Sequence, residues 1–230
     1  MDTELSGRVG PAGQGGRHPM VDAETFTTAM RRAGVRTGAS VVCYDDWNSL
    51  AASRAWWLLR YFGHADVRVL DGGLGAWQRA GGSVLTGPTE PTPGDWTARP
   101  GAEPLLDADG ARKLTAGGVL LDGRPQPRFE GRDERVDPVA GHIPDARSVP
   151  ALDSVDAEGR FRAADELAAR FARLGVDGQV AVGTYCGSGL QAAHLALALA
   201  VAGVDDHAGV YVGSWSDWIS DPRRPVATGC

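Results

Sequence analysis

Cysteine is scarce in this chain, which has three among its 230 residues: Cys43, Cys186 and Cys230. They are far apart and form no CxxC pair, so the sequence excludes a disulfide framework and a cysteine-rich zinc cluster. A sparse, odd-numbered set is typical of a reducing compartment, and we expect a cytoplasmic protein. We also expect neither a metal ion nor an organic cofactor, because no residue pattern calls for one.

Long hydrophobic runs and an excess of positive charge are lacking as well. The apolar stretch at 190–201 is too short to span a bilayer and is better explained as a buried helix. The first residues have neither the basic start nor the apolar segment of a secretory signal, so no signal peptide is visible. The net charge of −6 argues against nucleic acid or an anionic membrane surface as the main partner.

The most informative stretch is a short loop, Tyr-Cys-Gly-Ser-Gly at 185–189. It follows a predicted buried strand at 178–184 and precedes a segment rich in Ala and Leu, 190–202, that predicts a helix. The two glycines let the backbone curl, so that successive N–H groups and the positive end of the helix form an anion-binding cradle. A thiolate at Cys186 is stabilised in such a cradle, which indicates a nucleophile. The alternative is a small apolar cysteine at the edge of a core.

Strands and helices alternate along the chain, which predicts an α/β fold. Predicted helices cover residues 22–33, 48–62, 74–79, 107–115, 165–173 and 190–202, and the segment 214–219 closes the fold. Predicted strands cover residues 41–44, 67–70, 119–122, 178–184 and 209–212, with a short one near Ser148. Residues 81–104 are rich in Gly and Pro and read as a linker by composition.

The two halves of the chain repeat each other. Tyr44 and Tyr185 are 141 positions apart, and the pairs Val69 with Val210 and Trp77 with Trp218 keep the same spacing. This repeat predicts two tandem domains, each with a mainly parallel central sheet flanked by helices. We place them at 1–84 and 104–230, with a linker at 85–103.

The repeat also indicates that the first domain is incomplete. The first half has no counterpart of the strand at 119–122 or of Gly-His-Ile-Pro at 141–144, so we expect an N-terminally shortened domain. Asp45 stands where the second half has Cys186. Because a carboxylate cannot replace a thiolate in sulfur chemistry, we expect only the second domain to be catalytic.

Together these segments resemble the rhodanese superfamily, and in particular its two-domain thiosulfate/3-mercaptopyruvate sulfurtransferases. The motifs that carry the resemblance are Cys-Gly-Ser-Gly-Leu-Gln-Ala at 186–192, Gly-His-Ile-Pro-Asp-Ala at 141–146, Asp-Gly-Arg at 122–124, Arg-Phe-Glu-Gly at 128–131, Val-Leu-Asp-Gly-Gly at 69–73 and Val-Gly-Ser-Trp at 212–215. The resemblance implies that Cys186 takes a sulfane sulfur from a small-molecule donor as a persulfide. It then implies transfer to cyanide or to a thiol acceptor such as thioredoxin.

The resemblance also implies roles for individual side chains. The Cys-Gly-Ser-Gly loop looks like the mercaptopyruvate-preferring version, in which the Ser188 hydroxyl relays a proton, whereas thiosulfate-preferring loops carry Arg and Lys. Arg128 matches the family arginine that holds the donor's anionic end, and its fork suits a carboxylate. Arg135 is the nearest candidate for a second such arginine. Loop residues expected to contact the donor are Gly187, Gly189, Leu190 and Gln191.

Two residues near the N-terminus belong to the same expectation. The segment around Asp2 and the Gly-Arg-His-Pro at 16–19 resemble a part of the family's first domain that lies near the loop. The resemblance implies that Asp2 and His18 help to activate Cys186 or Ser188. The alternatives are a solvent-exposed loop histidine at 18, a structural serine at 188 and a surface arginine at 128.

Two other functions compete with sulfur transfer. Cysteine phosphatases share a loop of this kind, but their Cys-x5-Arg motif would need a cation where this chain has Ala192, and we disfavour them. The stronger alternative is an inactive remnant, or a non-enzymatic rhodanese-like binding module, because the first domain is shortened.

Overall fold

The computed structural model describes residues 4–229, so Asp2 and Cys230 lie outside the described residues. Helices and strands alternate along this range, as the sequence predicts. The helices are α1 Ala23–Arg32, α2 Leu50–Tyr61, α3 Gly73–Arg79, α4 Ala108–Gly117, α5 Gln126–Phe129, α6 Ala164–Ala172, α7 Leu190–Val201 and α8 Ser214–Trp218. The strands are β1 Val41–Cys43, β2 Val67–Val69, β3 Leu105–Leu106, β4 Val119–Asp122, β5 Arg147–Ser148, β6 Val182–Tyr185 and β7 Gly209–Tyr211.

The second half contains a five-stranded parallel sheet in the order β3-β7-β6-β4-β5. Every residue of β4 and β6 is buried, as is usual for central strands of a parallel sheet covered by helices on both faces. Residues of α6 and α7 belong to the apolar cluster on one side, and those of α4 and α8 to another cluster. Cys186 follows the last residue of β6, so the carboxyl edge of this sheet positions the loop.

The first half contains a smaller sheet, in which β1 and β2 pair in parallel. Its described part has no counterpart of β3, β4 or β5. Val42 and Tyr44 are more than half exposed. The predicted fold class, α/β with two rhodanese-like repeats and parallel sheets, is confirmed.

The repeat seen in the sequence is also a repeat of elements. The starts of β1 and β6, of α1 and α6, and of α3 and α8 are each separated by 141 positions. Helices α2 and α7 each have 12 residues and are offset by 140. These two helices pack against each other, and one apolar cluster contains Trp57 of α2 together with Ala193 and Ala196 of α7.

The segment predicted as a linker forms no helix or strand, yet part of it is fixed to the first half. Trp96 is buried, and its ring meets the Phe26 ring edge-on with 6.1 Å between centroids. The Gly94 N–H donates to Arg31 O at 2.7 Å, and the Arg99 N–H donates to Phe62 O at 2.8 Å. The domain limits 1–84, 85–103 and 104–230 stay predictions.

The elements missing from the sequence prediction are short. Strand β3 has two residues and α5 has four, which is too few for periodicity to register. Among residues 4–229, no helix is both long enough and apolar enough to cross a bilayer.

Candidate active site

Cys186 lies in a cradle of backbone N–H groups between β6 and α7. Its Sγ accepts hydrogen bonds from the Ser188 N–H at 3.4 Å and from the Gly189 N–H at 3.1 Å. Gly189 makes this turn possible, because it precedes α7 with a φ of +91°, a left-handed conformation that suits glycine. The Cys186 residue is only 2% exposed. The arrangement favours a negatively charged sulfur in a narrow, largely dry position.

The start of α8 holds this loop from below. The Cys186 N–H donates to Ser214 Oγ at 3.1 Å, and the Ser214 hydroxyl donates to Tyr211 O at 2.8 Å. The Trp215 N–H donates to Cys186 O at 2.9 Å. Because the N–H and the C=O of Cys186 are both bound in this way, the backbone of the loop is fixed at this residue.

Ser188 meets a histidine from the first half. Ser188 Oγ lies 3.0 Å from His18 Nδ1. Burial lowers the pKa of His18, a hydrogen bond with the Ser188 backbone opposes that shift, and the positive charge of Arg54 adds to it. His18 is therefore neutral at pH 7 and can accept a proton through Ser188.

Two arginines lie against the loop at Gly187. A Cβ placed on Gly187 would lie 2.9 Å from Arg17 Nη2 and 3.6 Å from Arg128 Nη1. Arg128 donates from Nε to Glu134 at 2.9 Å and from Nη2 to Asp137 at 2.8 Å, which fixes the plane of its guanidinium. Arg17 also pairs with Asp137. The loop itself has no cation, but its surroundings supply two.

The remaining predicted residues have different positions. Arg135 points away: its side chain is 83% exposed and pairs with Asp133 at 2.6 Å, so the structure does not bring it to the loop. Leu190 and Gln191 form the first turn of α7, where backbone N–H groups have no partner within the helix. Asp2 cannot be placed, since it lies outside the described residues.

Sequence reasoning missed a third arginine, Arg54, which lies on α2 of the first half and is completely buried. Its Nη2 donates to the carbonyl oxygens of His18 and Pro19 at 3.3 and 3.4 Å. Its Nη1 is beside the loop, since a Cβ on Gly189 would lie 3.0 Å from it. A charged residue in the middle of the apolar stretch Leu-Ala-Ala-Ser-Arg-Ala-Trp-Trp is the signal that could have found it.

Beside these residues lies a cleft of about 690 Å³. Arg17, His18, Asp137 and Ser216 are among the residues that line it. The cleft therefore has cationic, anionic and hydroxyl groups next to the Ser188–His18 pair, and its volume is large enough for a small organic acid.

The other described cysteine, Cys43, differs from Cys186 in its surroundings. It lies in β1, and burial raises its pKa to about 12, so it remains a thiol at neutral pH. Cys43 is therefore a poor nucleophile.

Comparison with known proteins agrees with this geometry. The rhodanese-like domain model matches residues 11–80 and 107–221. The chain is 45% identical over 236 residues to a Pseudomonas aeruginosa protein named "Probable 3-mercaptopyruvate sulfurtransferase", covering 100% of this chain and 81% of the relative. It is 33% identical to the thiosulfate sulfurtransferase of Gallus gallus, covering 84% of this chain and 68% of the relative. The crystal structure of SseA, a 3-mercaptopyruvate sulfurtransferase from Escherichia coli, superposes with a TM-score of 0.80 at 34% identity, covering 94% of this chain and 80% of SseA.

Proposed function

This chain belongs to the rhodanese family and is a sulfurtransferase, and we propose that it carries the transferred sulfur as a persulfide on Cys186. The observation that supports the proposal most directly is the pair of N–H groups, from Ser188 and Gly189, that donate to Cys186 Sγ. Donors aimed at one sulfur stabilise its thiolate before attack, and again when it leaves in the second half of the reaction.

In the first step the Cys186 thiolate attacks the sulfur of 3-mercaptopyruvate. A bond forms between the two sulfurs, the bond between the donor's carbon and sulfur breaks, and its electron pair goes to the carbon as the enolate of pyruvate. The thiol proton of the donor passes to Ser188 as Ser188 passes its own to His18 Nδ1. Return of that proton to the enolate carbon gives pyruvate and leaves Cys186 as a deprotonated persulfide.

In the second step an acceptor thiolate attacks the outer sulfur and releases the Cys186 thiolate. The acceptor leaves as a persulfide, and attack by a second thiol then gives a disulfide and hydrosulfide. Cyanide can replace the thiol, giving thiocyanate. The free first-turn N–H groups of Leu190 and Gln191 supply donors for the outer sulfur while it is held.

The donor's carboxylate would bind Arg128 and Arg17 beside Gly187. Arg128 Nη1 faces the loop, and Glu134 and Asp137 hold the rest of that guanidinium. Pairing a planar guanidinium with a carboxylate fixes the donor's orientation as well as its position. Arg17 replaces the predicted Arg135 in this role. Thiosulfate is the second candidate donor, because its charge also suits the two arginines.

The inactive-remnant alternative is not favoured. Relatives that match the chain along most of its length are named sulfurtransferases. The Cys186 loop is complete, and residues of the first half, His18 and Arg17, contribute to its surroundings.

Mass spectrometry of the intact protein tests the proposal. After incubation with 3-mercaptopyruvate and removal of excess donor, the protein should gain the mass of one sulfur atom and lose it on addition of a thiol. Cys186→Ser should abolish the adduct, whereas the control Cys43→Ser should retain it. A folded wild-type protein that gains no sulfur from either 3-mercaptopyruvate or thiosulfate would refute the proposal.

A further inference from the structure

The two helices at the interface between the halves each direct one buried basic side chain at the loop of the opposite half. With the offset of 140 that relates α2 to α7, Arg54 corresponds to His194. Arg54 lies against the Cys186 loop, as its distance from Gly189 shows. His194 lies near Asp45, the counterpart of Cys186, whose negative charge acts on its titration. Each half of the repeat therefore places one buried basic side chain near the loop of the other half.

Among the residues that the structure describes, 4–229, Arg54 has no carboxylate partner. Among residues 4–229 no ion pair involves it, and neither Nε nor Nη1 has a hydrogen-bond partner. A completely buried guanidinium without a counter-ion is costly, and such groups are paired in most folded proteins. The acidic group whose charge acts on Arg54 is the thiol of Cys186. Burial lowers the pKa of Arg54 to about 10, and the negative charge of Cys186 opposes this shift.

We propose that Arg54 is the counter-ion of the Cys186 sulfur, supplied by the non-catalytic half to stabilise the thiolate and the deprotonated persulfide. The role of this charge in sulfur transfer rests on the proposed function, whereas the measurement that tests the charge does not need sulfur transfer to occur. Arg54 acts on the sulfur through space and also holds the carbonyl oxygens of His18 and Pro19, so it is a positioning residue. Arg54 stays protonated near pH 7, because its lowered pKa of about 10 is still well above that pH.

The two basic side chains differ in charge, because Arg54 is protonated at pH 7 and His194 is not. Burial lowers the pKa of His194 to about 4, so it is neutral at pH 7. The Asp45 carboxylate does not need a cation, because three backbone N–H groups donate to it. Within residues 4–229, the Cys186 sulfur accepts from two backbone N–H groups, at the longer distances of 3.1 and 3.4 Å. The permanent positive charge of Arg54 is therefore present at the Cys186 loop, where backbone N–H groups alone stabilise a negative charge less than they do at Asp45.

The test is the pH profile of Cys186 alkylation by iodoacetamide, a small neutral reagent that Arg54 cannot attract by charge. Alkylation is followed by peptide mass, so that Cys43 does not contribute. In Arg54→Gln and Arg54→Met the midpoint of the profile should rise by about one unit or more, because an opposite charge within ~4–6 Å shifts a titration by 1–3 units. Below the midpoint, alkylation should then slow about tenfold or more.

The matched control is His194→Gln, which changes the equivalent buried residue on α7. It should lower stability while leaving the alkylation profile of Cys186 in place. Circular dichroism identifies the folded variants. An unchanged profile in a folded Arg54→Gln or Arg54→Met protein would overturn the inference, as would an equal shift in His194→Gln.

Arg54→Lys decides the matter if both neutral variants fail to fold. Lysine keeps the positive charge but not the guanidinium, so the midpoint should stay near the wild-type value. A midpoint that rises by about one unit or more in a folded Arg54→Lys protein would contradict the inference, because the charge would then not be what acts on the sulfur. Since alkylation needs no sulfur donor, failure of the persulfide test leaves this measurement unaffected, and the two failures are distinguishable.

Discussion

The Asp45 loop and the Cys186 loop each connect a strand to a helix, but the first holds a carboxylate and the second holds a thiol. Both follow a parallel strand and both end at a left-handed residue before a 12-residue helix, Ser49 in the first and Gly189 in the second. In the first loop the Asp45 carboxylate occupies the cradle, accepting N–H groups of Trp47, Ser49 and Ala52 at 2.8 to 2.9 Å. In the second, one sulfur atom leaves room for another.

The difference teaches how a repeated loop can be either structural or reactive. A tethered carboxylate satisfies the amides permanently, so the first loop stabilises the fold and has no room for a donor. A thiolate satisfies fewer of them and carries its charge on one atom that can form a new bond. The three predictions below test this comparison, from the largest expected effect to the smallest.

The largest effect is expected at the Ser188–His18 pair, which the first half lacks because Trp47 stands where the Cys186 loop has Ser188. His18→Asn should reduce turnover of 3-mercaptopyruvate by ~10²-fold, the usual loss when a proton-transfer group is removed. Persulfide formation from thiosulfate should fall far less, since that donor has no thiol proton to move. Stopped-flow assays with each donor measure the split.

Ser188→Ala is the companion variant and should show the same dependence on the donor. Equal losses with both donors in His18→Asn would mean that His18 only supports the loop and relays no proton.

The second prediction concerns the basic residue opposite the Asp45 loop. The unfolded chain protonates His194 at a pKa near 6.5, but the folded chain does so only at about 4, because burial disfavours the charged ring. Between these values the unfolded state binds more protons, so the free energy of unfolding should fall as pH drops from 6.5 to 4, by about 3 kcal/mol in total. Asp45 opposes this shift and Arg170 adds to it.

Urea unfolding at several pH values measures this loss, and His194→Gln is the comparison. The variant should be less stable than wild type at pH 7 and should lack most of the decline between pH 6.5 and 4. If both proteins lose stability in parallel over that range, His194 is not the group responsible.

The smallest effect should come from the Asp45 carboxylate itself. Asp45→Asn keeps one oxygen but cannot accept from all three N–H groups, so the free energy of unfolding should fall by about 1–2 kcal/mol. Sulfur transfer per folded molecule should stay at the wild-type level. Denaturant melts and turnover assays on the same sample provide both values.

Asp46→Asn provides a neighbour control, because Asp46 is exposed and, within the described part of the chain, accepts only the Gly75 N–H, at 3.0 Å. It should cost less than Asp45→Asn. If Asp45→Asn abolished sulfur transfer in a folded protein, the division into a structural and a reactive loop would fail.

The local part of the site is readable in the sequence, and the part assembled across the interface is not. The curl at Gly187 and Gly189, the strand before it and the helix after it all depend on neighbouring residues, so the pattern predicts them. His18 and Arg128 came from resemblance to a family. Arg54 did not, because nothing local separates a buried arginine from a solvent-exposed one in a helix; its position depends on how α2 packs against α7.

The same reason explains the other differences. Arg17 and Arg135 are both arginines in loops, and only the fold brings Arg17 to Gly187 and leaves Arg135 in solvent. Trp96 lies in a segment that composition marks as a linker, but a large apolar ring is buried wherever a cavity exists for it, here beside Phe26.

Because Trp96 packs against Phe26, the chain between the halves is partly fixed to the first half and is not a flexible linker along its whole length. The stretch before Trp96 is open to solvent, with Leu85 90% exposed, and it is there that a protease would cut. After such a cut the two fragments should stay associated through the packing of α2 against α7. The Cys186 loop and the arginines around it should then keep their positions.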